Sequence, residues 1–244
     1  TQEYQYVQGS FTYGFRAIPT GRLTGISDVN VSEGGRAYRK VSSGTAANTF
    51  RTFTNDDGDF EIRWFYPPTS NTTRIFTIAY TVQGALRYYP DGDQVWWKAV
   101  FPKHYVTLGS SKVTVRLPSP AKIVKATGYG LEGFAGGPGY TQQNVDAQTV
   151  VFNASGIPDG REFEVRAQFP HGIVQGTKAA WQDWDDQLQA ARPIADAVGI
   201  FLGVLIPILG LPLVYLWWYA RGRDVPAKLA LAADRKSIEF FEPR

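Results

Sequence analysis

The densest group of oxygen ligands in the sequence is Asn55-Asp56-Asp57-Gly58-Asp59, with Glu61 close behind. Carboxylates gathered this tightly are hard donors of the kind that hold Ca²⁺. The spacing does not follow the EF-hand loop, however, and Asp-Gly directly ahead of an alternating segment is a hairpin signal. Asp56, Asp57 and Asp59 are therefore weak metal candidates inside a predicted turn. Asp91 and Asp93 around Gly92 are read in the same way.

No other constellation singles out a reaction. The 244 residues include no Cys and two His, His104 and His171, far apart in the chain. Disulfide, thiolate–zinc and iron–sulfur chemistry are excluded, and little is left for a His-rich metal site. The two imidazoles are expected to bond locally. No Gly-x-Ser-x-Gly nucleophile elbow occurs. A glycoside hydrolase needs two acids across a groove, and although residues 1–175 carry 14 acidic groups, nothing singles out a pair. The chain is accordingly expected to be non-enzymatic, with no cofactor.

Aromatic residues, at 14% of the chain, suggest another use. Trp64, Phe65, Tyr66, Tyr88, Tyr89, Trp96 and Trp97 could form a platform for sugars or for another subunit. Alternation along strands would send about half of them into a core. Asn30-Val-Ser32, Asn71-Thr-Thr73 and Asn153-Ala-Ser155 match glycosylation sequons but are read as turn residues. Gly128 to Tyr140, rich in glycine and rings, lacks the strand–loop–helix setting and the lysine of a phosphate-binding loop, and is expected to be a surface connection.

The elements that must carry these residues read as β almost throughout residues 1–175. Asp59–Tyr66, Lys112–Leu117 and Arg161–Phe169 alternate polar and apolar, and Thr73–Val82 is rich in β-branched and aromatic residues. Asp57-Gly58, Asp91-Gly92, Ser155-Gly156 and Asp159-Gly160 punctuate them with turn chemistry. Many short strands at this spacing predict an antiparallel β-sandwich-like domain, and the fold class is mainly β.

Residues 176–196 are expected to be a short amphipathic helix or linker, with Trp181, Trp184 and Leu188 on one side. The two indoles would lie at lipid headgroups or pack on the β domain. Ala197 to Ala220 then carries no charge over 24 residues. As a helix it would extend ~36 Å, enough for a ~30 Å hydrocarbon core. Tyr215, Trp217, Trp218 and Tyr219 cluster at its C-terminal end and Arg221 and Arg223 follow, an interfacial belt. Asp183, Asp185, Asp186 and Asp196 precede it, so the positive-inside rule puts residues 221–244 in the cytoplasm as a tail and residues 1–175 outside. Pro207 and Pro212 are expected to bend the span, and Gly199, Gly203 and Gly210 to admit a partner helix. The net charge of +3 is too weak and too dispersed for nucleic acid.

Several segments in order resemble the bacterial YciQ-like predicted membrane proteins. They are Gly14-Phe-Arg-Ala-Ile-Pro19, Ile26 with Asp28-Val29, Arg63-Trp64-Phe65, Thr72 to Val100, Val113-Thr-Val-Arg-Leu-Pro118, Phe169-Pro-His-Gly172 and Arg221-Gly-Arg-Asp224. The resemblance spans about residues 10–224. It implies a signal peptide, a sandwich-like outer domain of unassigned function, a membrane anchor and often further sequence beyond. It also implies a first strand upstream of Thr1, an expectation the lack of any Met shares. It brings no catalytic residues. The expected role is an accessory or scaffolding subunit in contact with lipid and with other integral membrane proteins. The alternative is an envelope receptor binding glycan or peptide through exposed aromatics.

Overall fold

The computed structural model describes residues 1–104, 106–130 and 141–221. Residues 131–140 of the glycine-rich loop, and Arg223 with the rest of 222–244, lie outside the described residues.

Residues 1–83 supply β1 (Gln2–Tyr6), β2 (Phe11–Ile18), β3 (Gly25–Glu33), β4 (Arg36–Ala37), β5 (Arg39–Lys40), β6 (Thr49–Thr54), β7 (Phe60–Thr69) and β8 (Thr72–Gln83). Then follow β9 (Leu86–Arg87), β10 (Asp93–Val100), β11 (Leu108–Arg116), β12 (Lys125–Tyr129), β13 (Thr141–Asn144), β14 (Thr149–Ile157) and β15 (Phe163–Phe169). Four sheets result, in the orders β1-β8-β3-β4, β2-β7-β6-β5, β12-β15-β10-β9 and β11-β14-β13. Pairing is antiparallel except between β5 and β6.

The four sheets pair into two sandwiches, one more than alternation alone suggests, because a period of two fixes which face is buried but not which sheet lies opposite. In the first, Ile62, Trp64 and Tyr66 of β7 meet Val31 of β3 and Phe76 of β8 across one core. In the second, Phe163, Val165 and Ala167 of β15 meet Val150, Phe152 and Ala154 of β14. Trp97 packs against both cores. Arg16 helps close the junction: its guanidinium lies 5.2 Å from the Phe101 ring centre and donates to Tyr80 Oη at 3.2 Å.

Gly14 is required by close approach. A Cβ there would come within 2.6 Å of the Trp64 indole, which is fully buried. Asp28, with φ of 52°, sits where the β3–β8 register slips between Ser27 and Asn30, the left-handed residue of a bulge.

The compact unit Thr1–Trp184 holds both sandwiches, and a second unit begins at Asp185. One helix, α1 (Ala180–Arg221), contains Pro193, Pro207 and Pro212. The short helix and the separate span expected from sequence are one element, continuous through Pro193. Helix formers flank it on both sides (Ala190-Ala191-Arg192 and Ile194-Ala195) with no turn residue among them, so losing one donor does not end the helix.

Candidate functional site

The outer face of the β2-β7-β6 sheet is assembled by register. Opposite pairs Tyr13↔Phe65 and Phe15↔Arg63 join β2 to β7, while Arg51↔Arg63 and Phe53↔Glu61 join β6 to β7. Odd-numbered residues of β7 point away from the core that Ile62, Trp64 and Tyr66 fill. Arginines and rings therefore alternate across the surface. The Arg63 guanidinium lies 5.2 Å from the ring centres of both Tyr13 and Phe53, and Arg51 lies 5.1 Å from Phe53 and 5.7 Å from Phe65. Glu61, itself buried, accepts from Arg63 Nε at 2.7 Å and balances that one charge. Tyr13 and Phe15 remain 49% and 41% exposed.

On the core side of β3 and β8 runs a half-buried polar chain. Arg74 donates in bidentate fashion to Glu33, Nε to Oε1 at 2.7 Å and Nη2 to Oε2 at 2.6 Å, with its guanidinium 4.6 Å from the Tyr66 ring centre. Tyr38 donates to the same carboxylate at 2.7 Å. The hydrogen bonds from Arg74 hold the Glu33 carboxyl below its ordinary value. Tyr66 donates to the Tyr13 carbonyl at 2.9 Å and also bonds Tyr6; burial first, and then that tyrosine partner, push its phenol pKa up.

The first turn of α1 is clasped to the second sandwich. Gln182 is fully buried, its carboxamide accepting from Tyr88 N at 3.0 Å and donating to Tyr88 O at 3.1 Å. Trp181 Nε1 donates to the Gly84 carbonyl at 2.9 Å, with Arg87 5.2 Å over its ring. Of its two expected placements, Trp181 takes the one against the β domain, whereas Trp184 is 66% exposed.

The carboxylate turn is a hairpin. Asn55 Oδ1 accepts from the backbone N–H of Asp57 and Asp59, Gly58 takes the left-handed φ of 81°, and Asp57 pairs with Lys103 at 2.8 Å. Among the described residues no three His, Asp or Glu side chains gather around a point that could hold a metal. Asp93 is fully buried and accepts from Tyr89 N, Gly172 N and His171 Nδ1, so it ties the end of β15 to the loop before β10. His104 lies between the carbonyl oxygens of Val106 and Arg161. Of the seven aromatics named from sequence, Trp64, Phe65 and Tyr66 are buried. Tyr88, Tyr89, Trp96 and Trp97 are half-buried; exposed on β2 are Phe11, Tyr13 and Phe15, the last two in the alternation Tyr13-x-Phe15-x-Ala17 beside Glu61-x-Arg63-x-Phe65.

From Val198 to Tyr219 the helix surface is apolar and open. It is the one helix among the described residues long and apolar enough to cross a membrane, and none of its most apolar stretch is buried. A Cβ on Gly199, Gly203 or Gly210 would meet nothing within 4 Å. Tyr215 stacks loosely on Trp218 and Tyr219, with ring centres 5.9 and 6.3 Å away, and Arg221 ends the helix. Trp217 is likewise exposed. Tens of ångströms of uncovered apolar side chains are foreign to a water-soluble surface.

A β-rich N-terminal part joined to one apolar helix defines a membrane protein. The chain belongs to the family described as predicted membrane protein (DUF2207), whose N-terminal domain matches residues 1–169. No curated protein and no solved structure matches it.

Proposed function

We propose that this is a single-pass anchored protein with a non-catalytic β part outside the cytoplasm, which binds and stabilises a larger membrane assembly. The observation that carries the reading is the open apolar surface of α1 with Gly199 and Gly203 one turn apart, a face where a second helix can approach closely. Charge asymmetry supports the orientation: four aspartates precede the uncharged run and Arg221 and Arg223 follow it. The resemblance to the YciQ-like proteins supports the same arrangement.

The test is isolation of the full chain from native membranes in mild detergent, with crosslinkers placed at Gly199 and Gly203. Stoichiometric membrane proteins crosslinked there are the expected result; a chain that always runs alone removes the subunit reading. Protease protection in sealed vesicles checks the orientation separately. A second reading, a receptor for an envelope ligand, is favoured by the arginine and aromatic face on β2-β7-β6.

A further inference from the structure

Arg51 is the unusual cation of the outer face. Its guanidinium is held against Phe53 and Phe65, its Nε is buried without a hydrogen-bond partner, and no carboxylate among the described residues pairs with it. Contact with two rings limits the swing of the fork before any ligand arrives, which lowers the ordering cost of a bidentate contact. The next strand adds to the charge. Arg39 of β5 pairs in register with Thr49, on the same face as Arg51, and Arg39 and Lys40 are both exposed without an acidic partner among the described residues. Arg39, Lys40, Ser42, Ser43, Thr45 and Thr49 line a cavity of about 500 Å³ at this end of the sheet. No acidic side chain lines it.

We infer that the outer face of β2-β7-β6-β5, running from Tyr13 and Phe15 to the cavity beside Arg39, binds an anionic glycan whose acid groups are uronate or phosphate. The inference takes from the receptor reading only the placement of this face outside the cytoplasm. Charge complementarity argues for the acid groups: Arg39 and Arg51 share this face and carry no counter-charge among the described residues, Lys40 adds a third cation at the cavity, and arginine forks match carboxylate and phosphate oxygens. The sugar is argued by what lies between the charges. Tyr13 and Phe15 offer exposed rings on which the C–H face of a pyranose can lie, and the cavity's serine and threonine hydroxyls suit sugar hydroxyls. An acidic peptide would look for an open strand edge or a deep apolar pocket for its side chains. Here the rings and guanidiniums stand on the face of the sheet rather than along an edge, and the cavity at its end is lined mainly by cations and hydroxyls, not by apolar side chains.

The probes are polygalacturonate, a neutral glucan of matched length, polyglutamate, single-stranded DNA and phosphatidylglycerol vesicles, each titrated against the full chain in uncharged detergent. Polygalacturonate is expected to bind with a steep loss on adding salt, and the neutral glucan to bind far more weakly. Arg39→Gln, at an exposed edge position, and Arg51→Gln should each weaken polygalacturonate binding roughly tenfold. Tyr13→Ser should weaken it several-fold, and Lys112→Gln, on β11 of the other sandwich, should leave it unchanged. Because Arg39 and Tyr13 contribute nothing to a core, their variants keep the experiment decisive even if Arg51→Gln folds poorly. Equal binding by the Arg39 and Tyr13 variants overturns the proposal. So does equal affinity for the neutral glucan, or tighter binding to polyglutamate, DNA or vesicles. Failure in these titrations leaves vesicle protection to decide the placement of residues 1–175 on its own, so the two failures are distinguishable.

Discussion

The first sandwich is packed with rings and carries a half-buried ion pair, whereas the second is mainly aliphatic. Six of the ten buried residues of the first core are aromatic, from Tyr6 to Phe76, against Phe152 and Phe163 alone among the eight of the second. Arg74 and Glu33 pair beside the first core, with Tyr38 donating to the carboxylate and the Tyr66 ring under the guanidinium. Rings carry polar tips that call for partners: the phenols of Tyr66 and Tyr38 find them in the Tyr13 carbonyl and Glu33, whereas Trp64 Nε1 is buried without one. The second sandwich has no such obligation in its core and instead uses its polar contacts at the margin, where Gln182 and Asp93 hold loops. One half thus presents a chemically varied face while the other secures the start of α1.

Truncating a central ring gives the largest effect. Trp64→Ala and Phe152→Ala should each cost about 3–5 kcal/mol. Hydrogen exchange read by mass spectrometry on the protein in detergent should show lost protection confined to the sandwich that carries the change. Equal loss in both would mean that Trp97 makes them one cooperative body. Arg74→Leu strips Glu33 of its bidentate partner and should remove about 2–3 kcal/mol from the first sandwich, less than a fully buried pair because water still reaches the carboxylate. A variant as stable as the parent in thermal melts would contradict that network.

Gly14→Ala forces a methyl against the Trp64 indole and should cost about 1–3 kcal/mol, while the same change at Gly109, where the added Cβ meets nothing within 4 Å, serves as the control. Gln182→Leu leaves both backbone groups of Tyr88 without a partner and should cost about 1–3 kcal/mol, read as faster exchange at residues 84–89 with the first sandwich unaffected.

The smallest difference is in acid. Glu33 has its folded pKa lowered, so its contribution is present above the unfolded value of ~4.3 and fades as pH falls through the folded one. The first sandwich should therefore loosen on mild acidification, and Glu33→Gln should abolish that sensitivity. At the alkaline end the sign reverses. Tyr66 has its pKa raised, so stability is complete below ~10 and declines once the unfolded phenol ionises.

Alternation made much of this legible. Asp59–Tyr66 and Arg161–Phe169 declare their buried faces residue by residue, and the uncharged Ala197–Ala220 run declares an apolar helix without ambiguity. Pairing partners are another matter. Arg51 lies opposite Arg63, and Tyr13 opposite Phe65, only because three strands distant in sequence align, and no local pattern encodes that register. For the same reason clustering in sequence does not tell which rings are exposed: Trp64 and Tyr66 lie in the core together, Tyr88, Tyr89, Trp96 and Trp97 are half-buried, and the exposed Tyr13 and Phe15 come from a different strand. The short helix and the span, expected as separate elements, are one helix, because Pro193 is carried by its alanine-rich surroundings.

Gln182 bonds both the N–H and the C=O of a single residue, as a neighbouring strand would. Its side chain acts as a one-residue strand beside Tyr88, capping the sheet at the margin beyond β9. An edge ended in this way offers no template for further pairing there, so the point where the long helix begins also guards the second sandwich against joining its own copies.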